Sequence, residues 1–156
     1  MTTTDDNELH GIFVSTPISA FATNDLIAFK TFCIDLKNKL LLLHKRFSFY
    51  CATVAIEEPH LFDSPEDSAN RDFEALRRID SFVLLYPKPL PSSSLIELGY
   101  ALALRKRILI IAPSMVDIPF LARGLTKTIH NTEIFLADPI DDQSSSRIVE
   151  FCSRFR

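Results

Sequence analysis

Glycine is scarce. Only Gly11, Gly99 and Gly124 occur among the 156 residues, far apart from one another. That spacing excludes both the Gly-x-Gly-x-x-Gly turn and the Walker-type loop, since each needs clustered glycines to bring backbone amides onto phosphate. Cysteine is sparse too: Cys33, Cys51 and Cys152 form an odd, widely spaced set without a Cys-x-x-Cys pair. Neither a disulfide framework nor a zinc site is expected, and a reduced, cytoplasmic chain is the default reading. The four histidines (His10, His44, His60, His130) lack metal-ligand spacing, which disfavours a metal enzyme, and no cofactor is implied. No Gly-x-Ser-x-Gly elbow is present, so serine hydrolase chemistry is a minor possibility. Seventeen basic residues against twenty acidic ones leave a net charge of −3, without the basic footprint of a nucleic-acid binder. No apolar run reaches membrane-spanning length, and the polar, acidic opening MTTTDDNELH is the opposite of a leader peptide. Residues 1–10 are expected to be a frayed end.

What is present is a core. A hydrophobic fraction of 47% with 24% charged residues excludes disorder, and the length suits one domain, expected over residues 11–156. Short apolar runs alternate with amphipathic ones. Ile12 to Ser15 reads as a first strand, stopped at Thr16-Pro17. Asn24-Asp25 can cap a helix whose apolar stripe is Leu26, Phe29, Cys33, Leu36, Leu40 and Leu43. Phe47 to Ala55 reads as a second strand with Cys51 in the core, and Glu57 to Ser64 as an irregular acidic segment. Ser64-Pro65-Glu66-Asp67 opens a helix to about Asp80. Phe82 to Tyr86 is a third strand, followed by the proline loop 87–91. Ser92-Ser93-Ser94 can cap a helix from Leu95 to about Arg105, where Arg105-Lys106-Arg107 complements the helix dipole. Ile108 to Ile111, a short helical piece Pro119 to Leu125, Glu133 to Leu136 and a helix Asp141 to Phe151 complete the order. Such alternation implies right-handed crossovers and a doubly wound α/β domain: a five-stranded parallel sheet flanked by helices, Rossmann-like or flavodoxin-like.

Ligands of such folds sit at the carboxyl ends of the strands. Those ends are Ser15-Thr16, Glu57-Glu58, Tyr86 to Ser94 and Ala112-Pro113-Ser114, with His60 in one of the loops. Glu97 follows the third of them in Ser-Ser-Ser-Leu-Ile-Glu-Leu-Gly-Tyr-Ala. Its carboxylate, near a positive helix terminus, is expected to stay ionised and able to attack an electrophilic carbon, or else merely to complement the dipole. Gly99 inside that helix costs about 1 kcal/mol relative to alanine, so something approaches it closely: the sheet, or a substrate beside Glu97. Asp72, on the preceding helix, can pair with Glu97 as the nucleophile and proton donor that cleave a glycosidic bond. It can equally lie on a solvated face, salt-bridged to Arg71 or Arg78.

The stretches Arg71-Asp-Phe-Glu-Ala-Leu-Arg-Arg-Ile-Asp-Ser-Phe-Val-Leu-Leu and Ser92-Ser-Ser-Leu-Ile-Glu-Leu-Gly-Tyr-Ala resemble the nucleoside 2-deoxyribosyltransferase superfamily. Within it they look most like the small nucleotide hydrolases of the cytidylate and deoxynucleotide N-hydrolase type. Pro119-Phe-Leu-Ala-Arg-Gly-Leu and Asn131-Thr-Glu-Ile resemble the cytidylate type as well. The resemblance implies cleavage or transfer of the N-glycosidic bond of a nucleoside 5′-monophosphate. Glu97 then matches the nucleophile that forms a glycosyl ester, and Asp72 the acid to the leaving base. Phe13 and the loop Ser15, Thr16, Pro17 and Ile18 match the lining of the sugar and base pocket. Ser92, Ser93 and Ser94 match the stretch that meets sugar or phosphate, with Gly99 and Tyr100 beside the nucleophile. A homodimer or higher homo-oligomer is implied as well.

The chain departs from the pattern at Ile12, where transferases place a Tyr, at Ser93, which replaces a glycine, at Pro91, and in lacking an Arg in the first loop. The same elements also look like a TIR domain, in which Glu97 would attack NAD. A non-catalytic module that senses a nucleotide is the third reading.

Overall fold

A computed structural model of the chain describes residues 9–52 and 64–154. Five strands, β1 (Leu9–Ser15), β2 (Ser48–Tyr50), β3 (Ile79–Leu85), β4 (Arg107–Ala112) and β5 (Thr132–Leu136), form one sheet in the order β2-β1-β3-β4-β5. Every pairing is parallel. The helices are α1 (Thr23–Leu43), α2 (Pro65–Arg78), α3 (Ser93–Ala103), the single turns α4 (Phe120–Arg123) and α5 (Leu125–Thr128), and α6 (Asp142–Ser153). This is the expected doubly wound domain with the flavodoxin-like strand order.

The apolar strands split by parity. Ile12, Val14, Val83, Leu85, Leu109 and Ile111 meet α1 and α6 through Phe29, Cys33, Leu36, Leu40, Ile148 and Phe151. Phe13, Phe82, Leu84, Ile108 and Ile110 face the other way, onto Leu76 of α2 and Leu98 and Ala101 of α3. A period of two thus fills both faces, which is why the strands read as continuous apolar runs.

Several boundaries differ from the sequence reading. β1 begins at Leu9, inside the expected frayed end, because Asp80 of β3 accepts the Gly11 N–H at 3.1 Å and meets His10 Nδ1 at 3.1 Å. The same role ends α2 at Arg78 and starts β3 at Ile79. α1 begins at Thr23 after an N-cap Ala22 with no side-chain cap, so Asn24-Asp25 lies inside the helix; Leu43, expected in its stripe, is exposed. Of the second strand Ser48–Tyr50 is ordered into the sheet and buried Cys51 follows it, while Thr53 to Ala55, Glu57-Glu58 and His60 lie outside the described residues. The short helical piece is two turns meeting at Gly124. All three cysteines are buried free thiols. No helix among the described residues is long and apolar enough to cross a membrane.

The scarce glycines leave a signature at two places. A Cβ on Gly11 would stand 2.4 Å from the Ser48 carbonyl oxygen, a backbone atom that cannot swing away. At the end of α3, Arg105 takes φ 56°, the only non-glycine residue with positive φ among those described. It closes a Schellman turn: the Lys106 N–H donates to the Ala101 carbonyl and the Arg105 N–H to the Leu102 carbonyl, each at 3.0 Å. Glycine is the usual residue there, so this chain forgoes about 1 kcal/mol. Two opposite outcomes are expected in urea denaturation. Gly11→Ala destabilises by roughly 1–3 kcal/mol, whereas Arg105→Gly stabilises by about 0.5–1 kcal/mol. Leu42→Ala, at an 88% exposed position, stays within about 0.5 kcal/mol of the parent.

Candidate active site

The strand order reverses between β1 and β3. From β1 the chain crosses to β2 on one side, and from β3 it crosses to β4 on the other, so the connections part above the carboxyl ends of these two strands. A cavity of about 190 Å³ opens there. It is lined by Phe13, Ser15, Thr16 and Ile18 from β1 and its loop, by Ser68, Arg71 and Asp72 from α2, and by Ser93 and Glu97 from α3.

The two carboxylates face this one cavity. Glu97 arrives there because α3 turns Ser94, Leu98 and Ala101 into the core, which leaves position 97 beside β1. Ser15, the last residue of β1, is buried, and its hydroxyl donates a short hydrogen bond to Glu97 Oε2. Burial pushes the Glu97 carboxyl above its ordinary value; the Ser15 hydrogen bond works against the rise, and the nearby Asp72 charge adds to it. The dipole-held anion expected from sequence is instead a desolvated carboxyl next to a second one. Its charged form is costly there, and a carboxyl so perturbed in a cleft is a candidate functional group.

Asp72 is held from behind. Tyr50 of β2 donates its hydroxyl to Asp72 Oδ1 at 2.5 Å, and that hydroxyl accepts from Arg71 Nε at 3.1 Å. The Tyr50 ring stacks on Phe13 with centroids 4.8 Å apart, which ties the acid's support to the cavity floor. Burial first, and the Asp72 hydrogen bond next, raise the Tyr50 phenol, so it remains a donor at neutral pH. The sequence reading missed Tyr50, Arg71 and Ser68 as site residues. An aromatic residue in a strand reads as core, and only the register Phe13 with Tyr50 brings it to Asp72.

The α3 terminus carries open polar groups. Ser92 is the N-cap residue, yet its side chain makes no cap hydrogen bond, in contrast to the expected serine cap. Ser92 Oγ is buried without a partner, and so is Thr16 Oγ1, whose residue lines the cavity. Unsatisfied donors at a helix N-terminus suit an anion.

Other expected site residues lie elsewhere. Pro17 is buried without lining the cavity, and Ser94 is packed under α3. Tyr100 is taken by α2: its hydroxyl accepts from Arg77 Nε at 3.0 Å and its ring meets Phe73. Gly99 faces neither sheet nor cavity. A Cβ there would find nothing within 4 Å. No cluster of three or more His, Cys, Asp or Glu residues suited to a metal ion occurs among the described residues.

No family model matches the chain, and no curated protein does. A solved structure of the Clostridium botulinum CMP N-glycosidase BcmB matches with a TM-score of 0.60 at 19% identity, covering 90% of this chain and 98% of that one. The likeness at that identity is one of fold, and it extends over nearly the whole of both chains.

Two measurements probe the electrostatics. Ser15→Ala removes the hydrogen bond that lowers the Glu97 value, so a carbon-detected NMR titration of Glu97 is expected to move to higher pH. Glu97→Gln removes a carboxyl whose folded-state value lies above its unfolded one. Such a group is stabilising only while protonated, below the unfolded value near 4.5, and that contribution is lost as pH rises through the folded value. The variant is therefore expected to melt above the parent at pH 7, with the gap closing near pH 4.5.

Proposed function

We propose that this chain cleaves the N-glycosidic bond of a nucleoside 5′-monophosphate and releases the base. The observation that carries this reading is the pair of carboxylates, half-buried Glu97 and Tyr50-supported Asp72, facing one cavity at the β1–β3 switch point. The fold shared with a CMP N-glycosidase supports it.

In the first step Glu97 Oε attacks the anomeric carbon as the carbon–nitrogen bond breaks. The bond's electron pair leaves with the base, which takes a proton from Asp72. An oxocarbenium-like transition state lies between the two bonds, and the product is a glycosyl ester on Glu97. In the second step water attacks the same carbon and gives its proton to the Asp72 carboxylate, and the ester bond breaks to return Glu97 as carboxylate. The desolvated Glu97 anion gains stability as positive charge develops on the sugar, so its ground-state cost is repaid in the transition state. The first-turn amides of α3, with Ser93 and Thr16 beside them, offer the place for the 5′-phosphate, doing without a glycine loop.

The test is base release from a panel of nucleoside monophosphates and NAD. Release from a monophosphate is expected, falling at least about 10³-fold in Glu97→Gln. Asp72→Asn should slow a natural base strongly and spare a substrate whose leaving group needs no proton. Nicotinamide release from NAD instead would support the TIR-like reading. Thermal stabilisation by a nucleotide with no release at all would support the sensing module.

A further inference from the structure

Asp72 has two carboxyl oxygens, and the fold treats them differently. Oδ1 accepts from the Tyr50 hydroxyl at 2.5 Å, whereas Oδ2 has no hydrogen bond or ion pair among the described residues. The side chain is only 16% exposed, so this asymmetry is set by the protein more than by solvent.

Arg71 decides which way the phenol points. A guanidinium nitrogen can only donate, so the Arg71 Nε–H, with its nitrogen 3.1 Å from Tyr50 Oη, occupies a lone pair of that oxygen. The hydroxyl proton is then directed to the other polar contact, Asp72 Oδ1. Arg71 Nε itself stays 3.9 Å from Oδ1, outside hydrogen-bond reach, and acts on the acid through the phenol. A guanidinium laid directly on the carboxylate would engage both oxygens; the phenol engages one. The ring in turn is held in place. It stacks on Phe13 in a register that also sets Gly11 against Ser48, at an approach too close for any Cβ. A slip of one residue would send Tyr50 to the opposite face of the sheet.

We propose that Tyr50 is a positioning residue: by holding Asp72 Oδ1 as an acceptor, it places the acid's proton on Oδ2, the oxygen left for the departing base. The role rests on the reading of Asp72 as the acid. A carboxylic acid without such a partner can carry its proton on either oxygen, and a donor fixed at one of them removes that alternative, much as the outer partner of an imidazole selects its tautomer. In the first step the Oδ2–H bond breaks, its proton passes to the base and its electron pair stays on the carboxylate. In the second step the proton of the attacking water returns to Oδ2. Tyr50 keeps its own proton throughout, and its bond to Oδ1 is present on both sides of each transfer.

The test is Tyr50→Phe, which deletes the hydroxyl and keeps the ring on Phe13. With a natural nucleoside monophosphate, kcat is expected to fall about 10- to 100-fold while KM stays within about threefold. With a ribosyl 5′-phosphate bearing 4-nitrophenolate, a leaving group that needs no proton, the variant should match the parent. In an Asp72→Asn background, Tyr50→Phe should cost nothing further, because the group through which it acts is gone. The parent supplies a readout that needs no variant at this position: the Tyr50 hydroxyl proton is expected as a downfield, slowly exchanging NMR signal at neutral pH. A parent that releases no base from any monophosphate overturns the proposed function and this role with it. A parent that releases base while Tyr50→Phe slows both substrates alike, slows neither, or slows Asp72→Asn further overturns the role alone, as does a Tyr50 hydroxyl that exchanges freely with water.

Discussion

The parting of the chain at the β1–β3 boundary is the constraint on which the site depends. Right-handed crossovers carry β1 to β2 on one face and β3 to β4 on the other, so neither connection can cover the carboxyl ends of both central strands. The gap is a product of topology before any side chain is placed. Each element that borders it then supplies one group by geometry: β1 ends on Ser15, α2 enters with Asp72 before reaching β3, and α3 leaves with Glu97 one turn past its start. Even the edge strand is drawn in, because parallel pairing sets Tyr50 beside Phe13 and so behind Asp72.

A carboxyl half-buried beside another carboxylate is an unfavourable arrangement for stability. The chain offsets part of the cost with a single hydroxyl, Ser15, and fixes the second acid through a phenol that burial keeps protonated. Structural ion pairs in the same molecule look different: Glu74 is drawn down by Arg77 and Arg78 on the exposed flank of α2, where solvent leaves little net energy. Glu97, by contrast, has no salt bridge among the described residues, and burial raises rather than lowers its carboxyl, the pattern that marks a candidate functional group.

Fold class, strand number and strand order class were legible because parity and period are written in the residues themselves. Runs such as Ile108 to Ile111 are apolar at every position only when both faces of a strand are covered. Glu97 and Asp72 were legible as candidates because topology alone sends their helices to the strand ends. Less local features were not. The end of α2 depends on Asp80 reaching Gly11 across the sheet, and the role of Tyr50 depends on a register that no neighbouring residue announces. Gly99 sat two residues from Glu97, and a helix turns successive residues by about 100°, so it lies on another face; Tyr100, nearly a full turn on, is instead drawn to α2 by Arg77 and Phe73.

Glycine scarcity has a physical consequence at each end of α3. At its C-terminus the chain adopts the left-handed turn with Arg105 and accepts the strain. At its N-terminus it has no glycine to let the backbone wrap a phosphate, so any anion must be met by the amides of the first helical turn, which Ser92 leaves uncapped. That division of labour ties the helix's position to the chemistry proposed for it. A loop that wraps phosphate can adjust independently of the core, whereas a helix terminus can move only as a rigid unit, carrying Glu97 with it. Packing Leu98 and Ala101 against β3 and β4 therefore fixes the distance between an anion at the terminus and the carboxyl one turn later. On this scaffold the core, rather than a flexible loop, sets how the sugar would lie between its phosphate and the attacking oxygen.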